Sequence, residues 1–156
     1  MSERAGAPER AGAPERVSAP EQVSTPGQAR TLVLADVDAM YCSVERVFAP
    51  GLRERPLVVL SNNDGCVIAR SGEAKAMGVA MGQPWFQVRR LPGLAVRSAN
   101  FELYADASAR LGAIATGITP DVEPYSIDEW FLSLPGARAA WRAAWQLRDR
   151  AAAWLG

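Results

Sequence analysis

Histidine is absent from the 156 residues, so imidazole acid-base catalysis and histidine-ligated zinc are excluded. Cysteine is scarce: Cys42 and Cys66 have neither paired metal-ligand spacing nor the pattern of a disulfide framework. Reduced, buried thiols in a cytoplasmic protein are the expectation. No apolar run reaches the roughly 18 residues of a membrane span, and the N-terminus lacks the apolar segment of a secretory signal, so no membrane partner is expected. An excess of either charge is also missing. Lys+Arg and Asp+Glu number 17 each, which leaves no strong electrostatic footprint for nucleic acid and argues against autonomous, tight DNA binding. Any chemistry therefore rests on carboxylates, hydroxyls, Lys, Arg or Cys.

What is present suffices for one ordinary domain with a real core, since 49% of the residues are hydrophobic. Residues 5 to 28 form a degenerate six-residue repeat, AGAPER, AGAPER, VSAPEQ, VSTPGQ. A proline in every copy prevents a continuous helix and nothing in it is worth burying, so residues 1 to 30 are read as a disordered tail.

The chain then organises around Leu32-Val33-Leu34-Ala35-Asp36-Val37-Asp38-Ala39-Met40-Tyr41. The apolar run reads as a buried strand, with Asp36 where it leaves the core. Carboxylates at the end of a rigid strand are well placed to hold a metal ion, yet Asp38 is equally a cap for the helix beginning near Ala39. Further on, the pattern predicts strands over 56–60 and 66–69 joined by the turn cluster Ser61-Asn62-Asn63-Asp64-Gly65. A short helix over 73–77 closed by Gly78, another from Gln83-Pro84, a strand over 94–96 and a long helix over 101–116 follow. Extended runs over 122–127 and 130–134 flank Asp128-Glu129, and an Ala-rich helix over 138–155 carries Trp141, Trp145 and Leu155 near one face. The alternation is too irregular for a doubly wound sheet and suggests an α+β layer. Acids at strand ends amid apolar residues are costly unless cations or hydrogen bonds compensate, so Asp36 and Asp128, with Glu129 and the Val37 carbonyl, are candidate ligands for Mg²⁺. An ordinary acidic turn is the competing reading of Asp128-Glu129.

Ala35-Asp36-Val37-Asp38-Ala39-Met40-Tyr41, Asn62-Asn63-Asp64-Gly65-Cys66-Val67-Ile68-Ala69-Arg70, Glu73-Ala74-Lys75-Ala76-Met77-Gly78-Val79 and Tyr125-Ser126-Ile127-Asp128-Glu129 stand in the order and spacing that resemble the UmuC branch of the Y-family translesion DNA polymerases. The resemblance runs from Thr31 to Leu134, more loosely through the last helix, and covers well under half of such a polymerase.

The resemblance implies a ferredoxin-like palm, incomplete here, at 31–38 and 99–156, with a fingers subdomain inserted at 39–98. It implies two Mg²⁺ ions held by Asp36, Asp128 and Glu129, the Val37 carbonyl serving the nucleotide-bound one. Tyr41 resembles the steric gate that excludes a ribose 2′-hydroxyl, Lys75 the fingers cation for the triphosphate, and Arg70, more weakly, a contact to the incoming base or phosphate. Otherwise Tyr41 reads as a core aromatic and Lys75 as a solvated side chain. The implied partners are primer-template DNA and a deoxynucleotide, with a processivity clamp, recombinase or accessory subunit beyond them.

Ser71-Gly72 and Trp130 depart from the pattern, the first loosening the Lys75 helix and the second crowding the site or repacking outward. The pattern's last palm strand, thumb and little finger are not matched within these residues, which leaves the Asp36 strand with an open edge and the chain weak or inactive alone. Two other readings compete: a haloacid dehalogenase-like phosphotransferase built on Asp36 and Asp38, and a non-enzymatic remnant that binds a partner.

Overall fold

The computed structural model describes residues 29–155; the hexapeptide repeat and the tail expected before residue 29 lie outside the described residues. Six strands form two three-stranded sheets. In the first, β1 (Arg30–Asp36) pairs antiparallel with β6 (Glu129–Pro135), which pairs antiparallel with β5 (Val122–Pro124). In the second, β2 (Leu57–Leu60) lies between β3 (Val67–Arg70), antiparallel, and β4 (Ala95–Ser98), parallel. Helices α1 (Met40–Phe48), α4 (Phe101–Thr116) and α5 (Ala137–Leu155) pack with the first sheet, while the short α2 (Gly72–Ala76) and α3 (Trp85–Val88) cover the second.

The strand carrying Asp36 differs from its sequence reading. Leu32 and Leu34 are 67% and 53% exposed, while Val33 and Ala35 pack against the core. The sheet is covered by helices on one face only, so alternate residues of an apolar run face outward. The run is β1 at a sheet edge, half-covered rather than buried. It begins at Arg30, whose guanidinium meets the Asp121 carboxylate and donates from Nε to Ser133 Oγ at 2.7 Å. By contrast β2 is buried on every residue, because its two faces serve different clusters. Leu57 and Val59 join Tyr104, Leu111 and Leu132, whereas Val58 and Leu60 join Val67, Val79 and Val88.

Local chemistry explains most boundaries. The Ser61 to Gly65 cluster is the β2–β3 turn, with Asp64 at φ 50° and the Asp64 N–H on the Ser61 carbonyl at 2.8 Å. Ser71 caps α2 by accepting the Ala74 N–H at 3.3 Å and also accepts the Leu57 N–H at 3.1 Å, so the helix before Lys75 is pinned to β2 despite Gly72. Asn100 caps α4 by accepting the Leu103 N–H at 3.1 Å. β5 ends at Pro124, short of the expected 127, because Tyr125 and Ser126 both donate backbone N–H groups to the Glu129 carbonyl in a tight turn.

Trp130 neither crowds the acids nor turns outward. It is 4% exposed and packs inward under α4, its Nε1 only 3.1 Å from where a Cβ on Gly112 would stand. On α5 the buried side is alanine, Ala140 and Ala143, which lets the helix close on β1 and β6. Trp141 and Trp145, expected to share a face with Leu155, are 67% and 44% exposed, whereas Leu155 packs on the core. The expected pair of buried thiols also divides: Cys42 is buried, with burial pushing its thiol up to about 12, and Cys66 is half-buried.

Candidate active site

The β1–β6 register sets Asp36 directly across from Glu129. Paired residues of an antiparallel ladder share a face, so both carboxylates project from the side that no helix covers. One step further the Val37 N–H donates to the Asp128 carbonyl at 3.1 Å, which fixes Asp128 beside the end of β1. Ser126 completes the turn by donating its hydroxyl to Asp128 Oδ1 at 2.7 Å and accepting the Asp128 N–H at 3.3 Å. Desolvation and then the neighbouring Asp128, Glu129 and Asp38 charges raise the Asp36 carboxyl above its ordinary value.

Four carboxylates and backbone carbonyls form an all-oxygen donor set, the chemistry a hard divalent cation takes. Among the described residues no three of these side chains are gathered closely enough to grip an ion. Like charges spread apart, and Ser126 holds Asp128 in its own hydrogen bond. The donors therefore suit Mg²⁺ by type, while their spacing does not close a site around an ion.

Asp38 does not cap α1. The helix starts from Ala39, a non-glycine residue at φ 47°, with no side-chain cap, and the Asp38 carbonyl instead accepts the Ser43 hydroxyl at 3.3 Å. This sharp bend turns the chain from β1 into the wall of a cleft between the two sheets. The cleft holds about 390 Å³ and brings together Asp38, Tyr41, Arg70, Lys75, Met81 and Asp128. Asp36 and Val37 line instead a cavity of about 400 Å³ between β1 and α5, and Glu129 lines neither.

Tyr41 stacks on Tyr104 with ring centroids 4.2 Å apart and planes 13° apart, and Phe101 meets both rings edge-on. Tyr104 is fully buried and donates its hydroxyl to Glu45 Oε1 at 2.8 Å, while Arg97 stands 3.6 Å from the same carboxylate. Burial, then the Asp128 charge, raises the Tyr41 phenol and keeps it neutral. Lys75 is exposed at the cleft, whereas the Arg70 guanidinium is committed to the Val79 carbonyl and serves as wall. Sequence reasoning missed Ser126 and Tyr104. Ser126 lies within a short Ser-x-Asp turn and was legible as such; Tyr104 carries no local signal, because only the packing of α4 on α1 brings it to Tyr41.

The sequence pattern of the impB/mucB/samB family matches residues 35–156. The chain is 50% identical to the protein ImpB of Salmonella typhimurium over 129 residues, covering 79% of this chain and 30% of ImpB. It is 52% identical to UmuC of Salmonella typhimurium LT2 over 108 residues, 67% of this chain and 26% of UmuC. DNA polymerase IV of Alkalilimnicola ehrlichii is 39% identical over 67% of this chain and 30% of that protein. The chain thus spans less than a third of the length of these relatives. Among solved structures, DinB from Sulfolobus solfataricus superposes with a TM-score of 0.71 at 23% identity, over 77% of this chain and 38% of DinB. That likeness shows that the chain shares the fold of the matched part of DinB. With the family pattern beginning at Ala35 and running through both sheets, the cleft and the paired acids, the chain belongs to the impB/mucB/samB family.

Proposed function

We propose that these residues are the catalytic palm and fingers of an error-prone translesion DNA polymerase acting in damage tolerance, with the palm at 31–38 and 99–156 and the fingers at 39–98. The observation that carries this reading is the register pairing of Asp36 with Glu129, with Asp128 tied to Val37 at the mouth of the Tyr41–Lys75 cleft. In the reaction a primer 3′-hydroxyl attacks the α-phosphate of a deoxynucleotide and pyrophosphate leaves. Asp36, Asp128 and Glu129, with the Val37 carbonyl, would hold two Mg²⁺ ions, which would supply a lowered pKa for the attacking hydroxyl and neutralisation of charge on the leaving oxygens. Tyr41, braced flat on Tyr104, lies under the sugar and excludes a 2′-hydroxyl. Lys75 meets the triphosphate across the cleft, and Arg70 shapes the wall beside it.

No helix among the described residues is long and apolar enough to cross a membrane, and residence in the cytoplasm beside DNA belongs to the proposal. So does weak or absent primer extension by the 156 residues alone, which span 26–30% of the relatives UmuC and ImpB. The test is a chimera with residues 31–155 in place of the matching segment of Salmonella UmuC, assayed for Mg²⁺-dependent primer extension past an abasic site. Extension that Asp128→Ala abolishes is the expected result. A folded chimera whose extension survives Asp128→Ala overturns the assignment.

A further inference from the structure

The balanced charge of the whole chain hides a local imbalance on α5. That helix carries Arg138, Arg142, Arg148 and Arg150 against the single acid Asp149. At 100° per residue, Arg138, Trp141, Arg142, Trp145, Arg148 and Asp149 fall within about a third of the helix circumference. All six are exposed, and the stripe lies opposite the Ala140 and Ala143 side that packs on the sheet. The two indoles meet edge to face with centroids 5.9 Å apart, and the Arg148 guanidinium sits 4.7 Å above the Trp145 ring. Among the described residues nothing else stacks on either ring. Two large aromatics held in fixed mutual geometry, with guanidinium groups on both flanks, form a platform that stacks bases and pairs with phosphates.

We propose that the outward face of α5 is a binding surface for single-stranded nucleic acid, with bases stacking on Trp141 and Trp145 and the backbone held by Arg138, Arg142 and Arg148. The other occupants fit less well. A lipid surface needs an apolar face to insert, and apart from the two rings and Ala152 the stripe is arginine and aspartate. A second copy of this chain would bring two net-positive stripes together. An acidic peptide would satisfy the arginines and leave the indole faces bare. The surface is separate from the Tyr41–Lys75 cleft, although Arg148 also lines the cavity that Asp36 and Val37 border, and it needs neither nucleotide nor metal.

The test uses the full 156-residue chain and a fluorescein-labelled oligothymidine of about 12 nucleotides, read by anisotropy between about 50 and about 200 mM salt without divalent cation. Trp145→Ala is expected to weaken binding about tenfold and Trp145→Phe to restore most of it, since a base stacks on any aromatic ring. Replacing Arg138, Arg142 and Arg148 with Gln is expected to flatten the slope of log Kd against log salt by about 2. Circular dichroism checks that each variant folds, and photocrosslinking of the oligonucleotide to α5 gives a reading that does not depend on any variant. Unchanged affinity in the Trp141→Ala/Trp145→Ala double variant overturns the proposal, as does crosslinking confined to the cleft. Binding to phosphatidylserine vesicles that the oligonucleotide cannot displace overturns it in favour of a membrane surface. Loss of oligonucleotide binding in Lys75→Ala but not in the stripe variants moves the site to the cleft and leaves the polymerase reading standing.

Discussion

Asp36 and Glu129 face one another across the last register pair of β1 and β6, two carboxylates on the open side of the sheet. Like charges directly opposite in a ladder destabilise it by a few tenths to about 1 kcal/mol. Glu129→Gln is therefore expected to stabilise the metal-free chain by about that amount. Added Mg²⁺ is expected to raise the melting temperature of the wild type and to do so far less in Glu129→Gln, as thermal unfolding with and without the ion measures.

The same cluster gives the pH dependence of stability two opposing parts. Asp36 has a carboxyl raised above its ordinary 3.8, so its contribution is full below that value and is lost as pH rises through the raised value. Glu73 is the reverse case: the Ser71 hydroxyl and then the Arg46 guanidinium, 2.7 Å away, hold its carboxyl down to about 2. Its contribution is present above 4.5 and lost as pH falls through about 2. Denaturant unfolding of Glu73→Gln is expected to show a shallower acid-side loss than the wild type, and Asp36→Asn a flatter profile just above the ordinary carboxylate range.

Tyr104 is the brace of Tyr41. Tyr104→Phe keeps the stacked ring but removes the 2.8 Å hydrogen bond to Glu45, at a cost of roughly 1 to 2 kcal/mol, since Glu45 retains Arg97. Tyr104→Ala empties a fully buried site and costs about 3 to 5 kcal/mol. In the UmuC chimera, Tyr104→Phe is expected to leave sugar discrimination intact and Tyr41→Ala to admit ribonucleotides, which competition between the two nucleotide classes measures.

Gly112 is required by Trp130. Alanine is normally the better helix former by about 1 kcal/mol, but its Cβ would stand 3.1 Å from the Nε1 of a buried indole, which would have to shift to admit it. Gly112→Ala is expected to destabilise by about 1 to 3 kcal/mol, and in the Trp130→Phe background the same change is expected to be neutral or stabilising. Chemical denaturation of the four proteins of that cycle decides it.

Much of this fold is legible locally, because its signals are local. The Ser61 to Gly65 turn, the buried β2 and the 16 residues of α4 follow from turn residues, an apolar run and helical spacing. What escaped depends on the covering of surfaces. Nothing within Leu32 to Ala35 tells that helices cover one face of that sheet only, and the outward Trp141 and Trp145 follow from alanines closing on β1 and β6. The acids of the site were visible as residue types at strand ends, but their alignment depends on a register between strands separated by most of the chain. Tyr104 and Gly112 act through one large neighbour each, and pairwise packing of that kind leaves no mark on a single sequence.

Whether the cleft is a nucleotide site is tested most directly by calorimetric titration of the full chain with a deoxynucleoside triphosphate in the presence and absence of Mg²⁺. The expected result is saturable, Mg²⁺-dependent binding that Asp128→Asn abolishes and that Lys75→Ala weakens without changing the melting temperature, since Lys75 is exposed. Binding that is indifferent to Mg²⁺, or that survives Asp128→Asn unchanged, contradicts it.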